Sequence, residues 1–284
     1  MKITEKQAIV QQLREYCELK GSQNKAAATI KGVSSATLSQ VLNEKWELIT
    51  DEMWRNIASQ IGYDARKWVV VETEGYSIMS TVLKDAQNNS ETFAIVGNAG
   101  CGKTQAIDVY ARRNKNVYVL SCTGFWTLKY MLQRILKTMG VEYRGCTIIE
   151  LAEEVEYQLK RNGKSVLIFD EADKLKEGPF NYLITLYNTL NHHCGVVLCA
   201  TRHLEKRINR GASRNKEGYE EIKSRMGGKC IQLPIVSVED IYSVCLANGV
   251  CDESVIDNIV DDSGNDIRRV RRLIHAHKQS LIAI

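Results

Sequence analysis

The sequence is poor in proline, with two residues in 284, and only 7% of its side chains are aromatic. No apolar run approaches the roughly 20 residues that a membrane-spanning helix needs. The longest runs, such as Val166–Phe169 and Val196–Ala200, are of strand length. The charged stretch Met1–Gln7 lacks the apolar centre of a secretion signal, and an apolar content of 44% excludes a disordered chain. The composition predicts a globular, cytoplasmic protein with no membrane partner.

The nine cysteines are an odd number, and no two of them are spaced Cys-x-x-Cys. Neither a disulfide framework nor a zinc site is indicated, so we expect reduced thiols and no structural metal. The run His192-His193-Cys194 predicts a polar loop before a strand, because adjacent side chains cannot all face one ion.

The net charge of +4 is too small by itself to indicate a nucleic-acid-binding protein. Residues 1–75 carry ten basic and ten acidic side chains. After Asp266 the only side chains charged at neutral pH are basic, namely Arg268, Arg269, Arg271, Arg272 and Lys278. A second basic stretch runs from Lys206 to Lys229, so positive charge is concentrated in the C-terminal third.

Helical periodicity dominates the first 65 residues. Apolar positions predict a helix over 3–20, a helix, tight turn and helix over 24–43, and a further amphipathic helix over 51–61. Ala28 is small where the two central helices must cross, and Gly32 supplies the permissive backbone of the turn. This pattern resembles a λ-repressor-like helix-turn-helix and predicts an all-α domain over 1–65.

The second helix of this motif presents hydroxyl and amide groups that can bind phosphates and base edges, yet no cation. Its candidate DNA contacts are Ser34, Ser35, Thr37 and Gln40. Electrostatic attraction would have to come from nearby lysines such as Lys25, Lys31 and Lys45. The alternative is a purely structural or protein-binding helical domain.

Beyond residue 65 the pattern changes to alternating strands and helices. A linker with a first helix at Ser77–Ala86 occupies 66–90, and an alternating region follows over 91–234. Its predicted strands lie at 93–96, 117–121, 165–169, 196–200 and 229–233, and its helices at 104–113, 127–139, 148–161 and 180–191. Such alternation predicts an α/β fold with a parallel sheet. Short helices alone are expected over 235–284, as a separate helical lid subdomain.

The first strand leads into Gly97-Asn-Ala-Gly-Cys-Gly-Lys-Thr104, which matches the Walker A pattern Gly-x-x-x-x-Gly-Lys-[Ser/Thr] at every fixed position. Backbone amides of such a loop curl around phosphate oxygens, and the helix behind it points its positive end at them. Lys103 would contact the β and γ phosphates, and Thr104 would bind Mg²⁺. The predicted cofactors are ATP and Mg²⁺, and the predicted nucleotide-binding residues are Gly97, Asn98, Ala99, Gly100, Cys101, Gly102, Lys103 and Thr104.

A second motif, Ser165-Val-Leu-Ile-Phe-Asp-Glu-Ala-Asp173, is an apolar strand that ends in paired acids. Asp170 would hold the magnesium through water, and Glu171 would polarise the attacking water. Downstream of a phosphate loop, this pair predicts hydrolysis of a nucleoside triphosphate rather than binding alone.

Together the two motifs resemble those of an AAA+ ATPase. The resemblance implies ATP hydrolysis to ADP and phosphate, stimulated by DNA and by oligomerisation. It also implies that Thr201, the polar residue after the strand at 196–200, acts as sensor 1 and positions the attacking water beside Glu171.

Two arginines resemble further AAA+ site residues. Ser224-Arg225 resembles the arginine-finger motif of clamp-loader and initiator types, in which the arginine reaches into the neighbouring subunit's site. The stretch Ser263–Val270 resembles the sensor 2 helix, which would place Arg268 over the γ phosphate. The alternative for both arginines is a solvated surface position.

A helix-turn-helix followed by one AAA+ module with Ser-Arg and Gly-Asn-x-x-Arg motifs resembles the MuB/IstB/TnsC family over nearly the whole chain. That family implies ATP-driven assembly into rings or helical filaments around double-stranded DNA. It further implies recruitment of a DDE-type transposase and release of the DNA on hydrolysis. The uncharged second helix of the N-terminal module departs from this pattern, so that module could bind DNA or protein.

In such assemblies the loops after the second core strand and after the Asp-Glu strand face the central channel. The candidate DNA contacts there are Thr123, Thr127, Lys129, Arg134, Lys174 and Lys176. Phe125 and Trp126 are expected to pack in the core. The basic lid helix over 268–278 could instead contact DNA or transposase, or be a solvated face.

Two other functions fit the same residues, because site chemistry alone does not assign a process. One is a helicase loader or replication initiator. The other is a transcriptional regulator that recognises an operator through residues 24–43 and uses ATP as a switch.

Overall fold

The computed structural model describes residues 3–63 and 68–280, without the side chains of Ile3, Thr4 and Ala8. The chain divides into two units, Met1–Val69 and Val70–Ile284. The domain boundary expected at residue 65 lies outside the described residues. Among those described, no helix is both long and apolar enough to span a bilayer.

The N-terminal unit is all-α, as the periodicity predicts. Its helices are α1 (Ile3–Lys20), α2 (Gln23–Thr29), α3 (Ser35–Leu42) and α4 (Asp51–Gln60), with a 3-10 turn at Trp46–Leu48. The hydroxyls of Ser22, Ser34 and Thr50 each accept a backbone N–H in the first turn of the helix that follows, which stabilises these helix starts.

The core of this unit is formed by fully buried side chains that include Leu13, Leu38 and Trp54. Gly32 has φ +75°, the left-handed conformation expected of the turn. The prediction for Ala28 was wrong, because Ala26 and Ala27 are the buried residues of α2 and Ala28 is exposed. Consecutive residues of an α-helix point about 100° apart. An error of one residue therefore assigns an exposed side chain to the buried face.

The second unit alternates helices and strands. It begins with α5 (Glu74–Asn89), longer at both ends than predicted, and continues with β1 (Thr92–Val96), α6 (Lys103–Arg113), β2 (Val117–Ser121), α7 (Leu128–Thr138), α8 (Ile148–Arg161), β3 (Ser165–Asp170), a 3-10 turn (Ala172–Lys174), α9 (Glu177–Leu190), β4 (Cys194–Ala200), α10 (His203–Ser213), α11 (Tyr219–Arg225), β5 (Ile231–Gln232), α12 (Val238–Ala247), α13 (Glu253–Ser263) and α14 (Ile267–Ser280). Helices α10 and α11 lie in a stretch for which the sequence pattern predicted no helix. The last strand is shorter than expected.

The five strands form one parallel sheet in the order β2-β3-β4-β1-β5. Every residue of β3 and β4 is buried, as expected of central strands covered by helices on both faces. Gly195 allows α5 to cross β4 closely, since a Cβ there would overlap the Ala86 carbonyl. The order puts β4 between β1 and β3, so the loops that follow these three strands meet at one edge of the sheet.

Candidate active site

The Walker A segment 97–104 runs from the end of β1 through a loop into the first turn of α6 at this edge. Gly100 and Gly102 have φ +79° and +90°, conformations that glycine adopts without strain. The Lys103 ammonium is folded into the loop, where it donates to the carbonyls of Gly97 and Asn98 at 2.9 Å each. The loop is therefore preformed around a cation, at the N-terminus of an 11-residue helix, which is the arrangement that binds phosphate.

A side-chain hydrogen bond joins the Walker A segment to the acidic strand. The Thr104 hydroxyl donates to Asp170 Oδ2 at 2.7 Å, and the Glu171 N–H donates to Asp170 Oδ1 at 3.0 Å. Burial raises the pKa of the Asp170 carboxyl, against the opposing effect of these two hydrogen bonds. A hydroxyl and a carboxylate side by side are the hard oxygen donors that suit Mg²⁺, so the residues present fit this ion.

Glu171 directly follows β3 and lies in the left-handed region, with φ +57°. A non-glycine residue in this conformation is strained, and such strain is common at functional sites. The Glu171 carboxylate is half-exposed and pairs with Lys174 at 2.7 Å. The two neighbouring acids thus differ in environment, one buried against the phosphate loop and one open to solvent.

Thr201 follows β4, between the other two loops. Its hydroxyl donates to Asp173 Oδ2 at 2.6 Å, so it is hydrogen-bonded to the third acid of the motif rather than to the expected neighbour, Glu171. Sensor 1 behaviour remains a prediction. The structure adds that Thr201 fixes the loop that carries the acids.

Sequence analysis missed Arg207, on α10. Its guanidinium donates to the backbone carbonyls of Asp173 and Leu175, and its Nε donates to the Tyr219 hydroxyl at 3.0 Å. The same group lies 4.0 Å from the centroid of the Phe180 ring. Arg207 therefore holds the loop after β3 in place. No local motif marks it, because its partners are distant in the sequence.

Arg225 is the exposed last residue of α11. Its guanidinium lies 4.5 Å from the centroid of the Tyr187 ring, 3.6 Å from Glu221 and 3.3 Å from Asn188 Oδ1. These contacts orient the arginine at the surface of its own chain, and its action on a neighbouring subunit remains a prediction.

The C-terminal helices contact the phosphate loop directly. The Ile267 N–H donates to the Gly100 carbonyl at 3.0 Å, and a Cβ on Gly100 would overlap the Asp266 carboxylate. That carboxylate also accepts the Arg268 N–H at 2.7 Å. The exposed Arg268 thus lies in the first turn of α14, beside the loop.

The expected DNA contacts differ in accessibility. The Thr123 hydroxyl and Arg134 Nε are buried without a hydrogen-bond partner, so in this conformation a DNA phosphate cannot reach the Thr123 hydroxyl. The Thr127 hydroxyl caps α7, and Lys174 pairs with Glu171. Lys129 and Lys176 are exposed.

In the N-terminal unit, Ser34 caps α3 and shares a hydrogen bond with the Thr37 hydroxyl. Ser35 is exposed, and Gln40 is partly exposed. Two of the four candidate side chains therefore stabilise the start of α3.

The adjacent aromatic residues Phe125 and Trp126 differ in burial. Trp126 is 4% exposed and packs in the main core, as expected. Phe125 is 76% exposed, so the prediction that it packs in the core was wrong. In a turn between a strand and a helix, adjacent side chains point in different directions, and only one of this pair faces inward.

Residues 87–208 match the AAA domain family. Among solved structures, the chain is similar to the Orc1 protein of Aeropyrum pernix in complex with DNA, at 17% identity and a TM-score of 0.54. That match covers 80% of this chain and 61% of the Orc1 chain, so the present chain spans under two thirds of that protein. No curated protein sequence matches the chain significantly.

The second unit has the P-loop AAA+ fold, and the AAA domain match implies nucleotide binding. The family match includes the phosphate loop, Asp170, Glu171 and Thr201, but it ends before Arg225 and Arg268.

Proposed function

We propose that this protein is an ATPase that uses Mg-ATP to assemble on double-stranded DNA and recruits a DDE-type transposase to it. The observation that carries the ATPase part is the hydrogen bond between Thr104 and Asp170. It brings the phosphate loop and the acidic strand together at one edge of the sheet, with Glu171 next to them.

In this proposal Lys103 exchanges its loop carbonyls for the β and γ phosphates, and Thr104 and Asp170 hold Mg²⁺. The ion would screen the phosphate charge. Glu171 accepts a proton from the attacking water, and Thr201 keeps the acidic loop in place through Asp173. Arg268 and, from a neighbouring subunit, Arg225 supply positive charge to the transferred phosphoryl group.

Exposed basic side chains, Lys129 in the first turn of α7 and Lys174 and Lys176 after β3, support DNA binding by phosphate contacts, which are independent of sequence. The Orc1 protein of similar fold was solved in complex with DNA. The N-terminal helix-turn-helix provides a second candidate surface for DNA or for a protein partner.

The transposition role is supported by the order of motifs, with a helix-turn-helix before Ser224-Arg225 and Gly264-Asn265-x-x-Arg268. The fold likeness to Orc1 favours a second candidate, a replication initiator or helicase loader. An adjacent transposase gene would support the first function, and an adjacent helicase gene or origin repeats would support the second.

A footprinting experiment separates these functions. Wild-type protein is incubated with two unrelated duplexes and Mg²⁺, with ATP, a slowly hydrolysed analogue or no nucleotide. Uniform, nucleotide-dependent protection of both duplexes is expected, with rings or filaments seen by electron microscopy. A discrete protected site would favour an initiator or an operator-binding regulator.

Lys103→Ala is the matched nucleotide-binding variant, and Lys115→Ala is its surface control. Loss of a charge-assisted phosphate contact should weaken ATP binding by at least about tenfold. The same change should abolish nucleotide-dependent protection. Retained ATP affinity would show that the loop assignment is wrong.

A further inference from the structure

Phe125 is held in solvent by a fixed turn. The Trp126 N–H donates to the Thr123 carbonyl at 3.3 Å. The buried Trp126 ring packs edge-on against Tyr130, at 5.6 Å between centroids. Because Trp126 anchors the turn, Phe125 cannot turn inward without displacing it. An aromatic ring 76% exposed on an anchored turn loses little conformational freedom when a ligand covers it.

This turn lies beside the loop that follows β3. The Cys122 N–H donates to the Asp170 carbonyl at 2.8 Å, which continues the pairing of β2 with β3. A Cβ placed on Gly124 would lie 3.7 Å from the Lys174 carbonyl oxygen. The sheet thus brings Phe125 and the two lysines of the other loop, Lys174 and Lys176, to one edge.

The charges around the ring favour an anionic ligand. Residues 116–141 contain Lys129, Arg134 and Lys137 and no acidic residue. The acids of the neighbouring loop have partners within the fold, Glu171 with Lys174, Asp173 with Thr201 and Glu177 with Lys216. Within the described ranges 3–63 and 68–280, Lys129 and Lys176 form no ion pair.

We propose that Phe125, with Lys129 and Lys176, forms an aromatic–basic contact surface for DNA. The lysines hold backbone phosphates, and the ring packs against the bases or sugars of the same segment. Such an apolar contact tolerates any sequence, because every base has a π face. This inference rests on the proposed DNA binding and adds a contribution that does not depend on charge.

The test measures the affinity of the full-length protein for a labelled duplex and for a labelled single strand. It uses a slowly hydrolysed ATP analogue, Mg²⁺ and a series of salt concentrations. The variants are Phe125→Ala, Phe125→Leu, Phe125→Trp and Lys129→Ala. Ile149→Ala, at a position of similar exposure on α8, is the control for losing a surface apolar side chain.

Phe125→Ala and Phe125→Leu should weaken binding about five- to hundredfold with an unchanged salt slope. Phe125→Trp should keep the affinity, and DNA should shield its indole from a soluble quencher. Lys129→Ala should lower the salt slope by about one. Whichever DNA, duplex or single strand, loses more affinity on the change Phe125→Ala is the form of DNA that the ring contacts.

Three outcomes would overturn the inference. One is that the wild type binds DNA and that Phe125→Ala binds it as tightly as the control variant Ile149→Ala does. Another is an indole at position 125 that DNA leaves exposed. The third is a loss of nucleotide-dependent self-association without DNA, which would assign the ring to a protein contact. Failure of the wild type to bind DNA at all would instead refute the proposed function.

Discussion

The Lys174 ammonium lies 2.7 Å from Glu171 Oε2, so an expected DNA-contacting lysine is paired with the expected catalytic base. Both side chains are about half exposed, and an ion pair of this kind contributes about 0–1 kcal/mol. A DNA phosphate could therefore compete for Lys174 at little cost. Glu171 would then have a free carboxylate to accept a proton from water.

Lys174→Ala is expected to raise basal ATP turnover by up to about fivefold and to reduce further stimulation by DNA. The physical reason is that the variant frees Glu171 permanently. Steady-state phosphate release with and without duplex DNA measures both effects. Lys176→Ala is the control for basal turnover, since it removes a lysine of the same loop that has no ion pair with Glu171. Lys115→Ala, which removes an exposed lysine outside this loop, is the control for stimulation by DNA. Reduced basal turnover in Lys174→Ala at unchanged ATP affinity would contradict this role.

Glu171→Gln should reduce turnover by about 10²- to 10⁴-fold, because the amide cannot accept the proton of the attacking water. Nucleotide and DNA binding should persist, since Glu171 is neither a phosphate-loop residue nor an expected magnesium ligand. The variant should form long-lived DNA complexes with Mg-ATP, measured as slowed dissociation. An equal loss of ATP affinity would indicate a structural role instead.

Gly100→Ala should weaken ATP binding by about tenfold or more. A Cβ there would overlap Asp266, and φ +79° adds backbone strain. Asp266→Ala removes the overlapped carboxylate, so the double variant should recover part of the loss. Titration calorimetry of the four proteins gives a double-mutant cycle. Strictly additive effects would show that the C-terminal helices do not couple to the loop through this contact.

Arg225→Ala should bind ATP normally as a monomer but hydrolyse it slowly, because its arginine serves a neighbour. Mixing it with Glu171→Gln protein should restore some turnover, since some interfaces then combine an intact arginine with an intact Glu171. The experiment is a titration of one inactive variant into the other. No recovery at any ratio would exclude action across an interface.

The rate at which each cysteine is alkylated should decrease as the burial of its thiol increases. Desolvation raises the pKa of Cys194, Cys230 and Cys245 to about 11. At pH 8 only about one in a thousand of these thiols is then the reactive thiolate. Alkylation followed by mass spectrometry should modify the exposed Cys251 first. The buried Cys194 and Cys245 should react only after unfolding, and the partly buried Cys230 should react more slowly than Cys251. Labelling of all three should rise as the pH approaches 11. Labelling of Cys194 at the rate of Cys251 in folded protein would contradict this prediction.

Much of the site could be predicted because its chemistry is local in the sequence. The phosphate loop, the paired acids and the alternation of strands and helices follow from adjacent residues and short periods. Whether the side chains of Ala28 and Phe125 face the core or the solvent could not be predicted, because a shift of one residue along the chain reverses the answer. The roles of Arg207 and Asp266 could not be predicted either, because each acts through partners that only folding brings close.

The sequence by itself determined the elements and the reactive groups, because helix and strand periods, helix caps and the phosphate loop depend on neighbouring residues. Tertiary structure alone decided which groups meet. By inserting β4 between β1 and β3, the sheet places Thr201 between the phosphate loop and the acids. By docking α14 on Gly100, it brings the C-terminal helices to the same loop. Such contacts join residues far apart in the chain, and their stability comes from burial and packing that no local pattern encodes.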